Sequence, residues 1–181
     1  MAAIRRASAY SKKKPVVNTR RSKKQQLSYI KMIPPQKIVK FNMGDIRGFD
    51  EGKYSFKIEL LTEENIQVRD LALESIRQSI HKDLTDLLTP KNYFLRCNVY
   101  PHNILRNNRI FSGGSKGERV QTGMRKSFGS PEGRAATVKK GNPIFTAYFN
   151  GEDNIAKIRA FFKKTSPKLP SRAKIVVQKI K

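Results

Sequence analysis

Few residues in this chain have the types and spacing to do chemistry, and most of them lie between His102 and Gly141. That stretch holds seven of the eleven glycines and nine Lys/Arg, against two acids, Glu118 and Glu132. Glycine permits positive φ and close backbone approach, and the interleaved cations favour a polyanion as the partner. Three catalytic constellations can be tested there, and each fails. Gly113, Gly114, Gly117 and Gly123 lack the Gly-Lys-Ser/Thr that completes a P-loop. Glu118 and Glu132 stand fourteen residues apart among cations, nothing like a paired general acid and base. Cys97 and His102 sit five apart at the end of a strand, so they point to opposite faces, and no orienting carboxylate is near in sequence. Two histidines and one cysteine make no transition-metal site of ordinary type and no internal disulfide. The reading is a non-enzyme without metal or cofactor.

What remains is phosphate binding. Arg106, Arg109, Arg119, Arg125, Lys126 and Arg134 can make charge-assisted bonds to a nucleic-acid backbone, and Ser112, Gly113, Gly114, Ser115, Lys116 and Gly117 form the tip between them. Lys139 and Lys140 follow at a turn. A second set lies at the start of the chain: Arg5, Arg6, Lys12, Lys13, Lys14, Arg20, Arg21, Lys23 and Lys24, with Tyr10 and Tyr29 as candidates for stacking on bases or sugars. Gly114-Ser115-Lys116-Gly117 also matches the G-x-x-G clamp of KH domains, which leaves a KH-like RNA-binding regulator as the alternative and an RNA-modifying enzyme as a distant third. A KH loop joins two helices, however, and residues 105–111 do not read as one.

Charge supports a polyanionic partner. The net charge of +24 is far above the roughly 2–8 that suits a small free domain. Residues 1–40 carry twelve Lys/Arg and no acid, residues 41–90 six against ten acids, and residues 91–181 twenty against four. A membrane surface would call for cations along one amphipathic helix with an apolar face. Here they flank an acidic middle in Gly-rich or polar segments, which favours an irregular RNA surface. No apolar run approaches the ~20 residues that span a bilayer. The opening residues lack the apolar core of a secretory signal. They are compatible with an Arg-rich transit peptide, but the run of Lys and Arg up to residue 40 favours an RNA-binding arm in a cytoplasmic protein.

The elements that position these residues follow from periodicity. Residues 1–36 show no period and read as a basic arm, solvated until it meets RNA; residues 37–181 read as one α+β domain with an inserted loop at 102–134. Lys37-Ile38-Val39-Lys40-Phe41 reads as a strand, with Met43 and Gly44 in the turn after it. Tyr54, Phe56, Ile58 and Leu60 alternate as a half-buried strand. Leu73, Ile76, Ile80, Leu84 and Leu87 recur at helical spacing behind Asp70 as cap, with His81 beside the stripe and given no role. Residues 93–100 form a strand with Cys97 on its apolar side. Residues 120–128 are helix-compatible, a firmer stem for the loop. Residues 135–138 and 144–149 read as a hairpin turning at Lys139–Asn142. A helix capped by Asn150 buries Ile155, Ile158 and Phe162, and residues 172–178 form the last strand. The expected architecture is two helices packed on one mostly antiparallel sheet.

These residues resemble a known family. Lys37-Ile38 with Phe41, Met43 and Gly44, then Ala72-Leu73-Glu74 with Arg77-Gln78, then Val99-Tyr100-Pro101-His102 with Leu105-Arg106, match motifs of the large-subunit ribosomal proteins of the archaeal and eukaryotic "ten-e" type. So do Gln121, Gly123-Met124-Arg125 and Phe128-Gly129. Gly129-Ser130-Pro131-Glu132-Gly133, followed by Ala136, Val138, Lys139 and Gly141, resembles the stretch shared with the bacterial relative, the sixteenth large-subunit protein. The likeness runs from about residue 38 to 177. The chain departs from it in an arm without cysteines and in a loop tip rich in Ser and Gly rather than Ala. The resemblance implies the α/β hammerhead fold and a cytoplasmic place in the ribosome, between the central protuberance and the base of the GTPase stalk. It implies contact with the large rRNA and neighbouring large-subunit proteins, with 5S rRNA nearby. The loop would point to the peptidyl-transferase centre and the tRNA acceptor arm, with roles in tRNA accommodation and late assembly. Neither membrane nor homo-oligomer is expected.

Overall fold

Inward-facing Phe56, Ile58 and Leu60, separated by the half-exposed Lys57 and Glu59, begin the part of the chain that pairs as the alternation predicts. The computed structural model describes residues 5–11, 30, 32–107 and 129–180. In these, eight strands and three helices follow one another: β1 (Asn42–Gly44), α1 (Ile46–Asp50), β2 (Phe56–Thr62), β3 (Ile66–Arg69), α2 (Asp70–Leu88), β4 (Tyr93–Cys97), β5 (Asn103–Asn107), β6 (Ser130–Val138), β7 (Pro143–Phe149), α3 (Asn154–Thr165) and β8 (Ala173–Lys179). The class is α+β, as expected. The single sheet is instead two antiparallel sheets, one of five strands in the order β1-β4-β7-β2-β8 and one of three in the order β3-β6-β5.

One core unites them. Leu73, Ile76, Ile80 and Leu84 of α2 and Ile158 and Phe162 of α3 meet Ile58, Leu60, Leu95, Ala147 and Phe149, and Val68, Ala136 and Val138 join from the smaller sheet. Each Leu, Ile or Phe fully buried there contributes roughly 1.5–3 kcal/mol. On the other side of the large sheet Phe49 of α1 stacks on Phe94 at 4.5 Å and lies 4.7 Å from Tyr148.

The expected hairpin at residues 139–142 is a crossing between sheets. β6 pairs with β3 and β5, whereas β7 pairs with β2 and β4. The β2–β3 turn makes the same crossing beside it, and the two are bonded together. Gly141 N–H donates to Thr62 O at 2.8 Å, Thr62 Oγ1 to Lys139 O at 3.0 Å, and Lys140 N–H to Asn65 Oδ1 at 3.0 Å. Apolar alternation marks strands but not which sheet receives them.

Residues 37–41 do not form a strand. They run along α2, with Lys37 N–H donating to Asp70 Oδ2 (3.1 Å) and Val39 N–H to Glu74 Oε2 (3.3 Å), so these side chains replace a neighbouring strand. Asp70 is therefore the first residue of α2 behind Arg69 and not its cap, and burial pushes its carboxyl above the usual range. Arg77 forks onto Glu74 at 2.6 and 2.8 Å and draws that carboxyl below its usual range. Met43 and Gly44, expected in a turn, belong to β1, and Asp45 caps the short α1 by accepting from Gly48 N–H. Asn150, expected to cap α3, instead accepts from Ser55 N–H at 2.8 Å and donates to Lys53 O, and α3 starts later, at Asn154.

Gly44 has φ +89°, which brings Asp45 N–H to Tyr93 O at 2.9 Å, and a Cβ on Gly44 would collide with that same carbonyl. Gly44→Ala is therefore expected to cost about 2 kcal/mol or more in urea unfolding, from left-handed strain and loss of the β1–β4 register.

Candidate nucleic-acid interface

The Gly- and Arg-rich stretch is held at its base by a two-stranded ribbon. Part of the loop expected at 102–134 is therefore strand, β5 and β6 pairing from Asn103↔Ala135 to Asn107↔Ser130. Gly129 closes the base with φ +72°, where a Cβ would press within 3.1–3.3 Å of the Asn107 backbone, and Ser130 Oγ donates to Asn107 O. Pro131 is tolerated because β3 covers only residues 135–138 of β6, so no donor is needed on that side.

The ribbon carries one irregularity with a consequence. Leu105 pairs with Gly133 and Arg106 with Pro131, so Glu132 is the extra residue of a bulge. Its Oε2 lies 2.9 Å from the hydroxyl of Tyr10, which also approaches Arg106 O at 3.0 Å. Tyr10 is 5% exposed and packs on Leu105 and Ala135. The guanidiniums of Arg5 and Arg69 each lie 5.2 Å from its ring centroid, Arg69 Nη1 donates to Arg5 O at 2.7 Å, and Gln67 N–H donates to Ser11 O at 2.8 Å. Residues 5–11 are thus strapped across the three-stranded sheet, beside the base of the ribbon. Tyr10, expected to stack on RNA, is an internal latch. Desolvation is the main cause that raises its phenol above the usual range.

The other site residues divide. Arg5 and Arg6 are exposed beside the latch, and Lys139 and Lys140 are exposed at the crossing turn. Arg106 is half-buried in β5, where desolvation pulls its guanidinium below the usual range. Arg134 is partly engaged inside the protein, with Nε donating to Pro34 O at 2.7 Å and Nη1 to Tyr100 Oη at 3.3 Å. Lys12, Lys13, Lys14, Arg20, Arg21, Lys23, Lys24, Arg109, Ser112, Gly113, Gly114, Ser115, Lys116, Gly117, Arg119, Arg125 and Lys126 lie outside the described residues, as do Tyr29 and the stem at 120–128. The sequence reading missed the Glu132–Tyr10 pairing; its one local signal was an acid isolated among cations.

Of the pairings considered in the sequence, only Cys97 with His102 lies within the described residues. Cys97 Sγ faces Val99 O at 3.4 Å and His102 Nδ1 faces Tyr100 O, so the two do not address each other. His81 is tied to Tyr93 Oη, which also meets Thr85, and burial lowers its imidazole below the usual range. Among the described residues no cluster of three His, Cys, Asp or Glu could hold a metal, and no helix is long and apolar enough to cross a membrane.

Residues 5–11, with Arg5 and Arg6 exposed, thus lie beside the base of the β5–β6 ribbon. The sequence model of the family described as ribosomal protein L16p/L10e matches residues 16–176. The chain belongs to this family. The large ribosomal subunit protein uL16 of Pyrobaculum islandicum is 41% identical over 150 residues, 83% of this chain and 81% of the relative. That of Staphylothermus marinus is 37% identical over 155 residues, 84% of each, and that of Nanoarchaeum equitans 32% over 181 residues, 100% of this chain and 96% of the relative. The resemblance read from the motifs is borne out, and membership extends into the arm, from residue 16.

Two outcomes follow. Tyr10→Ala removes the latch, so the Gln67 amide, which donates to Ser11, is expected to exchange its hydrogen at least about tenfold faster, with core amides of α2 unchanged. Burial pushes the Cys97 thiol up to about 11 from 9.0. A raised thiol pKa means less thiolate at pH 8, so alkylation of the folded chain should be slower than that of the urea-unfolded chain by about a hundredfold or more.

Proposed function

We propose that this chain anchors to large-subunit rRNA through its arm and exposed cations, and presents residues 108–128 from the end of the β5–β6 ribbon toward the peptidyl-transferase centre. Its membership makes it a large-subunit ribosomal protein, a ribonucleoprotein component of translation located in the cytoplasmic ribosome, with rRNA and other ribosomal proteins as partners. The finer assignment is that the presented segment meets the tRNA acceptor arm, helps tRNA accommodate and takes part in late subunit assembly, with 5S rRNA nearby.

The observation that carries it is the ribbon itself. Paired strands closed by Gly129 hold both ends of a cationic, Gly-rich segment on the sheet that also receives the arm. Arm and surface cations supply most of the affinity by displacing counterions from phosphates, and shape and 2′-hydroxyl contacts supply specificity on folded RNA. The KH alternative finds no support, because the last described element before Gly114 is strand β5, where that fold needs a helix.

Deleting residues 110–116 in ribosomes is the test. Particles are expected to retain the protein at high salt but to mature late or accommodate tRNA several-fold more slowly in a rapid-kinetics assay. Normal maturation together with normal accommodation and fidelity would overturn the assignment of the segment.

A further inference from the structure

The last part of the domain carries a concentration of charge that neither the arm nor the ribbon accounts for. Residues 154–180 contain eight Lys/Arg and no acid, and all eight are exposed. Three have partners inside the protein: Lys164 pairs with Asp83 at 3.3 Å, Lys179 with Glu152 at 3.7 Å, and Lys168 donates to Ser75 O and Ser79 Oγ. Lys157, Arg159, Lys163, Arg172 and Lys174 meet no acid among the described residues. Lysine on an edge strand is an ordinary guard against strand addition, which explains Lys174 and Lys179 on β8. It does not explain Lys157, Arg159 and Lys163, which lie on a helix.

Two of these cations, Arg159 and Lys163, border a groove. Between α3 and β8 runs an open channel of about 470 Å³, lined by Ala156, Ala160, Ala173 and Ile175 and by Arg159, Lys163 and Ser166. Ala156, Ala160 and Lys163 recur at spacings of four and three, so they share one helix face. Alanine leaves depth for a backbone to settle, and the rim supplies a guanidinium fork, an ammonium and a hydroxyl, the donors suited to phosphate. A membrane would need large apolar side chains on that face, and the exposed residues of α3 have none beyond alanine. Strand pairing connects the Ala173 end of the groove to the crossing turns: Ala173 pairs with Thr62, Arg172 O accepts from Glu63 N–H, and Thr62 binds Lys139 and Gly141. Lys139 and Lys140 therefore lie at one end of the track and Arg159 and Lys163 at the other, with Arg172 between.

We propose that this track, from the Lys139–Lys140 turn over Arg172 into the α3–β8 groove, is a second RNA surface that takes the sugar–phosphate backbone of an rRNA segment separate from the one met by the ribbon. It rests on the ribosomal reading above. The separation follows from β6. The ribbon's base is at Ser130 and the turn follows Val138, so the strand sets the two ends apart by roughly 25 Å at about 3.3 Å per residue. An acidic protein segment is the competing occupant; the apolar lining is shallow, three alanines and the half-buried Ile175, whereas Arg159 and Lys163 stand beside it as the spaced cations that a phosphate backbone needs.

The test uses the full-length chain and transcribed large-subunit rRNA. In Arg159→Gln/Lys163→Gln the replaced groups make no bond or ion pair among the described residues, so the thermal midpoint should not move. Affinity is expected to fall at least about tenfold, and the slope of log affinity against log salt to shrink by about 2, one per lost phosphate contact. In reconstituted subunits a photo-crosslinker on Ala160→Cys should attach to rRNA. An unchanged affinity and slope, or a crosslink to a ribosomal protein or to nothing, overturns the proposal. Failure of the ribosomal reading looks different, because the wild-type chain would then bind rRNA weakly and without salt dependence.

Discussion

Thirty-eight cations against fourteen acids is a charge the folded chain cannot neutralise, and the placement of its carboxylates reflects that. Several of the acids hold backbone or internal groups. Asp45 caps α1, Asp70 and Glu74 receive the N–H groups of Lys37 and Val39, and Glu132 meets the hydroxyl of Tyr10. Where an acid pairs with a cation at the open surface, as in Lys179–Glu152, the pair stabilises little. The acids thus shape the chain while most cations among the described residues are left outward. Such a domain repels itself when compact, and binding a polyanion lowers its free energy twice, through contact and by removing the repulsion. An RNA-rich particle is the environment in which that arrangement is stable.

The same constraint explains why two sheets are useful where one would bury the core. β2 continues into β3 as β6 continues into β7, so a pair of strands leaves the large sheet and re-forms as the small one, bonded at the crossing by Thr62, Asn65, Lys139 and Gly141. The small sheet then carries β5, and β5 with β6 extends past the end of β3 as a ribbon. The crossing fixes the direction of that ribbon relative to α2 and α3. Its bulge turns Glu132 to Tyr10, and the arm's first described residues lie across the base of what they help to support.

Elements with local periodicity were legible in the sequence: β2, α2, β7, α3 and β8 all lie within a few residues of where alternation and helical spacing put them. What was not legible depended on distant partners. Residues 37–41 have strand composition, but two carboxylates of α2 took their N–H groups first. The turn at 139–142 has hairpin chemistry, yet its strands belong to different sheets. The site divides in the same way. Charge and glycine content located the cationic regions, whereas composition could not tell Arg134, which grips Pro34 O and Tyr100, from the exposed Lys157, which meets no acid among the described residues. A free cation and a structural one have the same side chain, and only the tertiary partners separate them. Tyr10 shows the same ambiguity for aromatics, since a tyrosine in a basic arm reads as a stacking platform until its burial is known.

Position along β6 then becomes the variable that links fold to function. At one end of this nine-residue strand are the ribbon's base, Tyr10 and the exposed Arg5 and Arg6; at the other are Lys139, Lys140 and the surface leading to α3. Charges at one site would draw a single RNA segment and leave the domain free to pivot about it. Charges at both ends of a rigid strand resist pivoting, because any rotation that improves one contact strains the other.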